Sequence, residues 1–176
     1  MKIMRAISLS CVVCLAGGIL AGATGAWADD CDLASAAAIA QWKTPHADTH
    51  VTTIPGNPPA SVETIFTDDK AYVQVDGVWR SMAFPAQEQI DTINAAAKRA
   101  EQTTHTCQKL AGEPINGEAA SLLVMHSEVN GKASDVREWI SDKTGLPLKY
   151  EVHLSGGMVL TDEFRYGAIK APLGVK

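Results

Sequence analysis

Residues 70–84 read KAYVQVDGVWRSMAF, and this stretch decides the fold. Two runs of strand-forming residues flank Asp76-Gly77, a pair suited to a two-residue type I′ turn because both turn positions need positive φ. The stretch therefore predicts a β-hairpin. Its register places six side chains on one face: Ala71, Val73, Val75, Val78, Arg80 and Met82. The other face takes Tyr72, Gln74, Trp79 and Ser81.

More strands are predicted on both sides of this hairpin. Asn130-Gly131 is a second type I′ candidate, and Gly156-Gly157 joins two further strand-like segments. Because hairpin follows hairpin, we expect an antiparallel meander of about nine strands. Besides the first hairpin, the predicted strands are 49–54, 61–66, 107–115, 119–129, 132–141, 148–154 and 158–165.

Two segments read as helices. Asp32 is a suitable N-cap for an alanine-rich helix over 33–42, and Pro85 opens a second helix over 86–103. Two helices are too few to cover both faces of a large twisted sheet. The predicted fold class is α+β, mainly β: a curved antiparallel sheet, an unclosed half-barrel, covered by about two helices. Its concave face is a natural place for an apolar cavity.

The N-terminal residues read as a secretory signal peptide. A short basic start, residues 1–5, precedes an apolar run over 7–20 and the small-x-small site Ala26-Trp27-Ala28. We expect cleavage after residue 28, a periplasmic location, and a single domain over 29–176. The apolar run is too short to span a bilayer stably.

Charge argues against nucleic acid as a partner. The 176 residues hold 15 Lys and Arg and 20 Asp and Glu. The predicted signal peptide removes Lys2 and Arg5 and no acid, which leaves 13 basic residues and a net charge of −7. A nucleic-acid-binding face needs excess basic residues to neutralise phosphates. No later apolar stretch reaches membrane-spanning length.

Cysteine usage predicts one disulfide. Cys11 and Cys14 leave with the signal peptide, so the exported chain keeps Cys31 and Cys107. Two cysteines in an exported protein most simply pair with each other. Closing so long a loop stabilises the fold by roughly 4 kcal/mol in the loop-entropy model. A redox pair or metal site is the alternative, and the lack of a Cys-x-x-Cys spacing disfavours it.

Three segments resemble one known family. Residues 139–149, WISDKTGLPLK, are similar to the "Trp-Ile-Asp-x-x-Thr-Gly-Leu-Pro-x-Lys/Arg" segment of outer-membrane lipoprotein-sorting proteins, the LolA/LolB-like group. Residues 161–172 look like the closing strand of that group. The hairpin over 70–79 is similar to its "Lys-x-Tyr-x-x-x-x-Gly-x-Trp" hairpin.

The resemblance implies a function as well as a fold. It implies an unclosed barrel with a helical lid, whose apolar interior shields acyl chains in transit across the periplasm. Each methylene hidden from water contributes about 0.8 kcal/mol. No position here matches the functional arginine of the carrier, so we expect a relative with another cargo or partner.

The residues expected to bind a ligand combine the hairpin with a later strand: Val73, Val75, Arg80, Met82, Leu123 and Met125. The expected partner is a lipid or an acylated protein, and another envelope protein is possible. Core packing explains the apolar run Leu122–Met125 equally well, and Arg80 could instead lie at a rim. The alternative function is a protein-interaction module with a filled core. Cavity volume distinguishes these functions, because a pocket of several hundred Å³ favours ligand binding and a packed interior favours the interaction module.

Two polar groupings have both functional and structural interpretations. On a strand, His46, Asp48 and His50 would share one face and suit zinc or copper, although a solvated loop is the preferred interpretation. The Asn130-Gly131 register sets His126 opposite Asp135, as a catalytic dyad or, more simply, a cross-strand polar pair. No Gly-x-Ser-x-Gly elbow is present. We expect no catalysis, no metal and no cofactor.

Overall fold

The computed structural model describes residues 26–100, 105–129 and 132–175, and these form two helices and nine strands. The helices are α1 (Ala26–Trp42) and α2 (Ala86–Ala100). The strands are β1 (His46–Thr53), β2 (Ala60–Phe66), β3 (Lys70–Val75), β4 (Val78–Ala83), β5 (His105–Ala111), β6 (Ala120–Val129), β7 (Lys132–Ser141), β8 (Pro147–His153) and β9 (Val159–Tyr166).

All nine strands form one antiparallel sheet in the order β4-β3-β2-β1-β9-β8-β7-β6-β5. The predicted fold class is confirmed: a mainly β, unclosed sheet with two helices. The predicted single meander is wrong, because the first strand pairs with the last. β4 and β5, which are consecutive strands, therefore lie at opposite edges, and α2 connects them.

The hairpin that decides the fold has the predicted geometry. Asp76 and Gly77 have φ values of 51° and 75°, as a type I′ turn requires. Val73 pairs with Arg80, so the predicted register is confirmed. The turn Asn130-Gly131 lies outside the described residues, but the strands beside it pair in the predicted register.

Helix α1 covers one face of the sheet, which we call the inner face. A disulfide joins Cys31 of α1 to Cys107 of β5, with their Cα atoms 5.2 Å apart, so the predicted bridge is confirmed. Beside it, α1 packs Ala37 against Leu123 and Ile140, which are both almost fully buried. This part of the inner face is a filled apolar core.

The family-like segment over 139–149 forms the end of β7, a tight turn and β8. Ser141 donates its backbone N–H to the carbonyl of Leu146 at 2.9 Å, and Gly145 takes a φ of 71°. The Lys149 ammonium lies 4.6 Å from the ring centroid of Trp139 on the opposite, outer face. These contacts give the segment a structural role, namely joining two strands.

Two element boundaries differ from the predictions. Helix α1 begins at Ala26, earlier than expected, and so includes the predicted cleavage site. Strand β1 begins at His46 because that residue pairs with both Phe66 and Tyr166. Residues 1–25, which hold most of the predicted signal peptide, lie outside the described residues. No helix in the described ranges has the length and apolar character to cross a membrane.

Candidate functional site

An aromatic pocket of about 240 Å³ lies where the end of α1 meets the start of α2. Trp42, Phe66 and Phe84 line it, and their ring centroids are 4.9–5.2 Å apart. His46 also lines the pocket and stacks on Phe66 at 4.8 Å. The volume is below the range of roughly 300–1,000 Å³ that is typical for drug-sized ligands.

Beside this pocket, a polar row crosses the inner face from strand to strand. Glu138 pairs with Tyr150, Tyr150 with Asp162, and Asp162 with His50. Glu138 is 5% exposed, whereas the side chains of Asp162 and His50 are 20% and 37% exposed. The row therefore leads from the packed core outward to solvent.

Burial changes the pKa values of ionisable groups in and beside this row. It raises the pKa of Glu138 to about 8. It also raises the pKa of Asp48 to about 7, an effect that the Asp162 charge increases and His50 opposes. Tyr150 has its pKa raised to about 12, by burial first and then by the charges of Glu138 and Asp162. The inner face can thus hold neutral carboxyl groups at neutral pH.

Two buried polar atoms in this region have no hydrogen-bond partner: Nε2 of His46 and Oδ1 of Asp48. The other ring nitrogen of His46, Nδ1, lies 2.8 Å from the carbonyl oxygen of Thr44. Nδ1 must therefore carry the proton, and in the neutral ring Nε2 is an acceptor. Burial lowers the pKa of His46 and so favours this neutral form.

The predicted ligand-binding residues all lie on the inner face, but in two separate places. Val73, Val75, Arg80 and Met82 lie on the hairpin at the β4 edge, where Val75 is 43% and Met82 53% exposed. Leu123 and Met125 lie at the other end of the sheet, beneath α1. The structure therefore places the four hairpin residues close together, but it does not place them near Leu123 and Met125 of β6.

The histidine-rich segment is a strand and not the solvated loop that the sequence favoured. His46 is 1% exposed, and Asp48 and His50 follow it on the inner face of β1. The His50 ring forms hydrogen bonds with Asp162, with Nδ1 and Oδ1 2.5 Å apart, and with the hydroxyl group of Thr52. Within the described ranges, no three His, Cys, Asp or Glu side chains are placed to hold a metal ion.

His126 and Asp135 form the predicted cross-strand pair. The Nδ1 and Oδ1 atoms are 2.6 Å apart, and both side chains are more than half exposed on the outer face. Such a pair contributes little stability because water screens it. It is remote from the inner-face row.

The sequence interpretation missed Glu138, Tyr150 and Asp162 as members of one polar row. A signal for Glu138 was present, because the Asn130-Gly131 register sets it opposite Leu123, on the face that also carries Ile140. A carboxylate between two aliphatic residues on a buried face is rare enough to indicate a special role. The contacts of Asp162 with His50 depend on the pairing of β1 with β9, for which the sequence has no local signal.

Several solved structures have a fold similar to that of this chain. The similar structures include MucB in complex with MucA(peri), at a TM-score of 0.57 and 16% identity, over 81% of this chain and 57% of that one. A second is the MucA/MucB complex of Pseudomonas aeruginosa, at 0.56 and 15%, over 81% and 59%. The chain shares the fold of part of MucB. It spans less than two thirds of the length of those chains.

Structures from the lipoprotein-sorting group that the sequence resembles are also among the matches, at lower similarity. A LolA superfamily protein from Nitrosomonas europaea is among the matched structures, at a TM-score of 0.29 and 11% identity, over 80% of this chain and 92% of that one. No protein-family model matches the sequence, and no curated protein matches it.

Proposed function

We propose that this chain is an exported, non-enzymatic binding protein of the cell envelope, and that it binds an extended segment of a partner polypeptide at the β4 edge of its sheet. The observation that carries the proposal is an uncovered apolar strip that meets an edge strand. Val62, Val75 and Met82 are each more than 40% exposed on the inner face. Beside them, β4 has a sheet neighbour on one side only.

An edge strand of this kind can accept a further strand. Its outward N–H and C=O groups have no ladder partner in the described sheet, and an added strand would satisfy them. Apolar side chains at alternate positions of that strand would then cover Met82 and Val75. Main-chain hydrogen bonds would supply affinity, and the apolar contacts would supply specificity.

The filled interior supports a polypeptide partner over a shielded lipid. Beneath α1, the inner face is occupied by Ala37, Leu123 and Ile140, which leave little exposed surface. The centre of the face carries buried carboxyl groups, which acyl chains do not favour. The similarity to MucB, whose structure was solved with MucA(peri), agrees with a protein partner.

Met82→Asp should reduce partner binding at least tenfold. Covering a methionine side chain contributes roughly 1.5–3 kcal/mol, and a charge in its place would have to be buried instead. The control is Ser81→Asp, because Ser81 is the next residue of β4, is also exposed and faces the outer side. The protein is purified from periplasm without detergent, and its bound polypeptides are quantified by mass spectrometry.

Three outcomes decide the proposal. Retention of one specific polypeptide by the wild type and Ser81→Asp, and its loss from Met82→Asp, supports it. Equal retention by the two variants contradicts it, and so does the absence of any specific polypeptide from the wild type. Both substitutions are on the surface, so melting temperatures should stay close to the wild-type value.

A bound acyl chain is the second candidate, which the aromatic pocket favours. Trp42, Phe66 and Phe84 give the pocket apolar walls. Extraction of the same detergent-free protein, with a similarly exported protein as the control, measures lipid directly. A stoichiometric lipid would establish the shielding function implied by the sequence resemblance, and a clean extract would exclude it for the purified state.

A further inference from the structure

We propose that Arg80 selects the partner segment at the β4 edge, and that this segment carries an acidic residue with apolar residues two positions before and two positions after it. The inference rests on the proposed function and names the chemistry of the partner. Its test uses synthetic peptides, so it can fail while the β4 edge remains a site for some other polypeptide.

Arg80 lies among apolar side chains on the inner face of the hairpin. It pairs with Val73 of β3, and Val78 and Met82 flank it at alternate positions of β4. Residues at alternate positions of a strand share a face, so Arg80 is a single cation in an apolar setting. The side chain is exposed, and none of the ion pairs among the described residues includes it.

The direction of the main-chain groups of β4 determines which residues an added strand would face. The two-residue turn Asp76-Gly77 makes Val75 and Val78 a hydrogen-bonded pair. At the other end of the strand, Phe84 donates its N–H to the carbonyl oxygen of Asp69 at 3.0 Å. Hydrogen-bonded and non-hydrogen-bonded pairs alternate, so the even-numbered residues of β4 bond to β3. Three residues therefore present their N–H and C=O groups outward: Trp79, Ser81 and Ala83.

An added antiparallel strand would place one of its side chains directly against Arg80. It would bond to the three outward residues, which leaves Arg80 in a non-hydrogen-bonded pair with its new neighbour. Side chains are closest in such pairs, in which the Cα atoms are about 4.5 Å apart. The residues two positions away on the same face would meet Val78 and Met82. The β4 edge thus contacts three alternate side chains of a partner, and the central one faces a cation.

Covering Arg80 with another strand requires a counter-charge. While the edge is open, water solvates the guanidinium group. An added strand removes part of that water, and a charge that loses water without gaining a partner is costly. A carboxylate opposite Arg80 offsets this cost because its two oxygen atoms match the planar donors of the guanidinium group. An apolar residue would leave the charge unpaired and a basic residue would repel it, so this position discriminates between partners.

The charges at the two ends of the hairpin favour a central position for the acid. Asp76 lies in the turn at one end, Asp68 and Asp69 precede β3 at the other, and all three are exposed. An acidic residue near either end of the added strand would approach these carboxylates, whereas a central one approaches Arg80. Charge complementarity thereby favours one register as well as one class of partner.

Two other occupants match this edge less closely. A second copy of β4, paired antiparallel with Arg80 at its centre, would place two guanidinium groups side by side, and like charges directly opposite each other destabilise a strand pair. An acyl chain with an anionic headgroup could pair with Arg80 but has no backbone to bond to the outward N–H and C=O groups. A peptide with a central acid satisfies both the charge and the backbone.

The probes are three fluorescein-labelled peptides that differ at one residue. The first is Thr-Val-Thr-Glu-Thr-Val-Thr, and glutamine or lysine replaces its glutamate in the other two. Fluorescence polarisation measures their affinities for the full exported protein. We expect the glutamate peptide to bind at least fivefold tighter than the glutamine peptide and at least twentyfold tighter than the lysine peptide. This preference should decrease between about 0.05 M and about 0.5 M NaCl, because salt screens a partly exposed ion pair.

Reversing the charge at Arg80 makes the test specific to this side chain. Arg80→Glu should reverse the preference, so that the lysine peptide binds at least fivefold tighter than the glutamate peptide. Arg80→Met keeps an unbranched apolar stem and should abolish the preference for glutamate over glutamine. Lys70→Glu is the control, because Lys70 is exposed on the neighbouring strand and pairs with Ala83 on the outer face. It makes the same change in charge and should keep the wild-type order of affinities.

Phosphatidylglycerol vesicles test the lipid alternative as a competitor. They should leave the glutamate peptide bound. Displacement of the peptide would assign Arg80 to an anionic headgroup and contradict the inference.

Three further results would overturn the inference. They are equal binding of the three peptides to the wild type, no saturable binding of the glutamate peptide, and the wild-type order of affinities in Arg80→Glu when its melting curve shows a folded protein. The wild-type comparison needs no variant, so it holds even if a substitution impairs folding. The proposed function is decided separately, by the retention of a polypeptide in the wild type and its loss from Met82→Asp.

Discussion

Replacing both Cys31 and Cys107 with alanine should lower the melting temperature by about 8–16 °C. The bridge links residues 76 apart in the chain. In the loop-entropy model, a loop of that length stabilises the fold by roughly 4 kcal/mol. For a chain near 150 residues, each kcal/mol shifts the melting temperature by about 2–4 °C. Thermal unfolding followed by far-UV circular dichroism measures the change.

Alanine is the better replacement because of where the two sulfur atoms lie. Cys107 is buried against Leu123 beneath α1, and a serine there would bury a hydroxyl group among apolar side chains. The single variant Cys31→Ala is the control, because it breaks the cross-link but keeps the second cysteine side chain. A similar loss in the single and double variants would assign the effect to the cross-link.

A fall of less than about 3 °C in both variants would contradict the prediction. It would mean that α1 stays on the sheet through packing alone, and the small contact surface of an alanine-rich helix argues against this. Alkylation of the unreduced wild-type protein is a separate check. It should label neither Cys31 nor Cys107.

Local turn chemistry explains the part of the fold that was predictable. Asp76-Gly77 sets the hairpin register within a few residues, and the structure has that register. The pairing of β1 with β9 joins residues more than a hundred positions apart. No local pattern encodes such a contact, so a single meander was the simpler prediction. A meander makes β4 and β5 neighbours, whereas the structure has them at opposite edges of the sheet.

The candidate site was predictable only in part for a related reason. Alternation assigned Val75 and Met82 to the correct face, but it could not show that α1 covers β6 and leaves the β4 edge open. Coverage depends on where a helix docks on the sheet, and the alternation of residues within a strand does not encode that position. The pairing of β1 with β9, which brings Asp48 near Asp162, likewise could not be predicted from the alternation of residues within each strand.

Glu138→Gln should stabilise the protein at high pH and leave it unchanged near pH 4. Burial raises the pKa of Glu138 from 4.5 to about 8. Between these values the unfolded chain binds fewer protons than the folded one, so the glutamate reduces stability progressively as pH rises. Above pH 8 the difference reaches on the order of 5 kcal/mol. Glutamine has nearly the same shape and does not ionise.

The measurement is urea unfolding of both proteins at several values between pH 4 and pH 9. The free energy of unfolding of the variant should exceed that of the wild type by an amount that grows with pH and levels off above pH 8. A constant difference across the range would show that Glu138 does not titrate abnormally in the folded state.

Glu151→Gln is a matched control of opposite sign, on the neighbouring strand and the outer face. Burial opposes ionisation of Glu151, but hydrogen bonds from His153 and Lys149 outweigh it and lower its pKa. A lowered pKa adds stability that is present above the unfolded-state pKa and is lost as pH falls through the folded-state value. Glu151→Gln should therefore destabilise the protein at pH 7, where Glu138→Gln stabilises it.

Opposite results for the two glutamates would bear on function as well as on stability. If Glu138 weakens the fold at physiological pH and glutamine increases the free energy of unfolding, no structural requirement explains a glutamate at position 138. Groups of this kind concentrate at binding sites, where stability is exchanged for an interaction with a ligand.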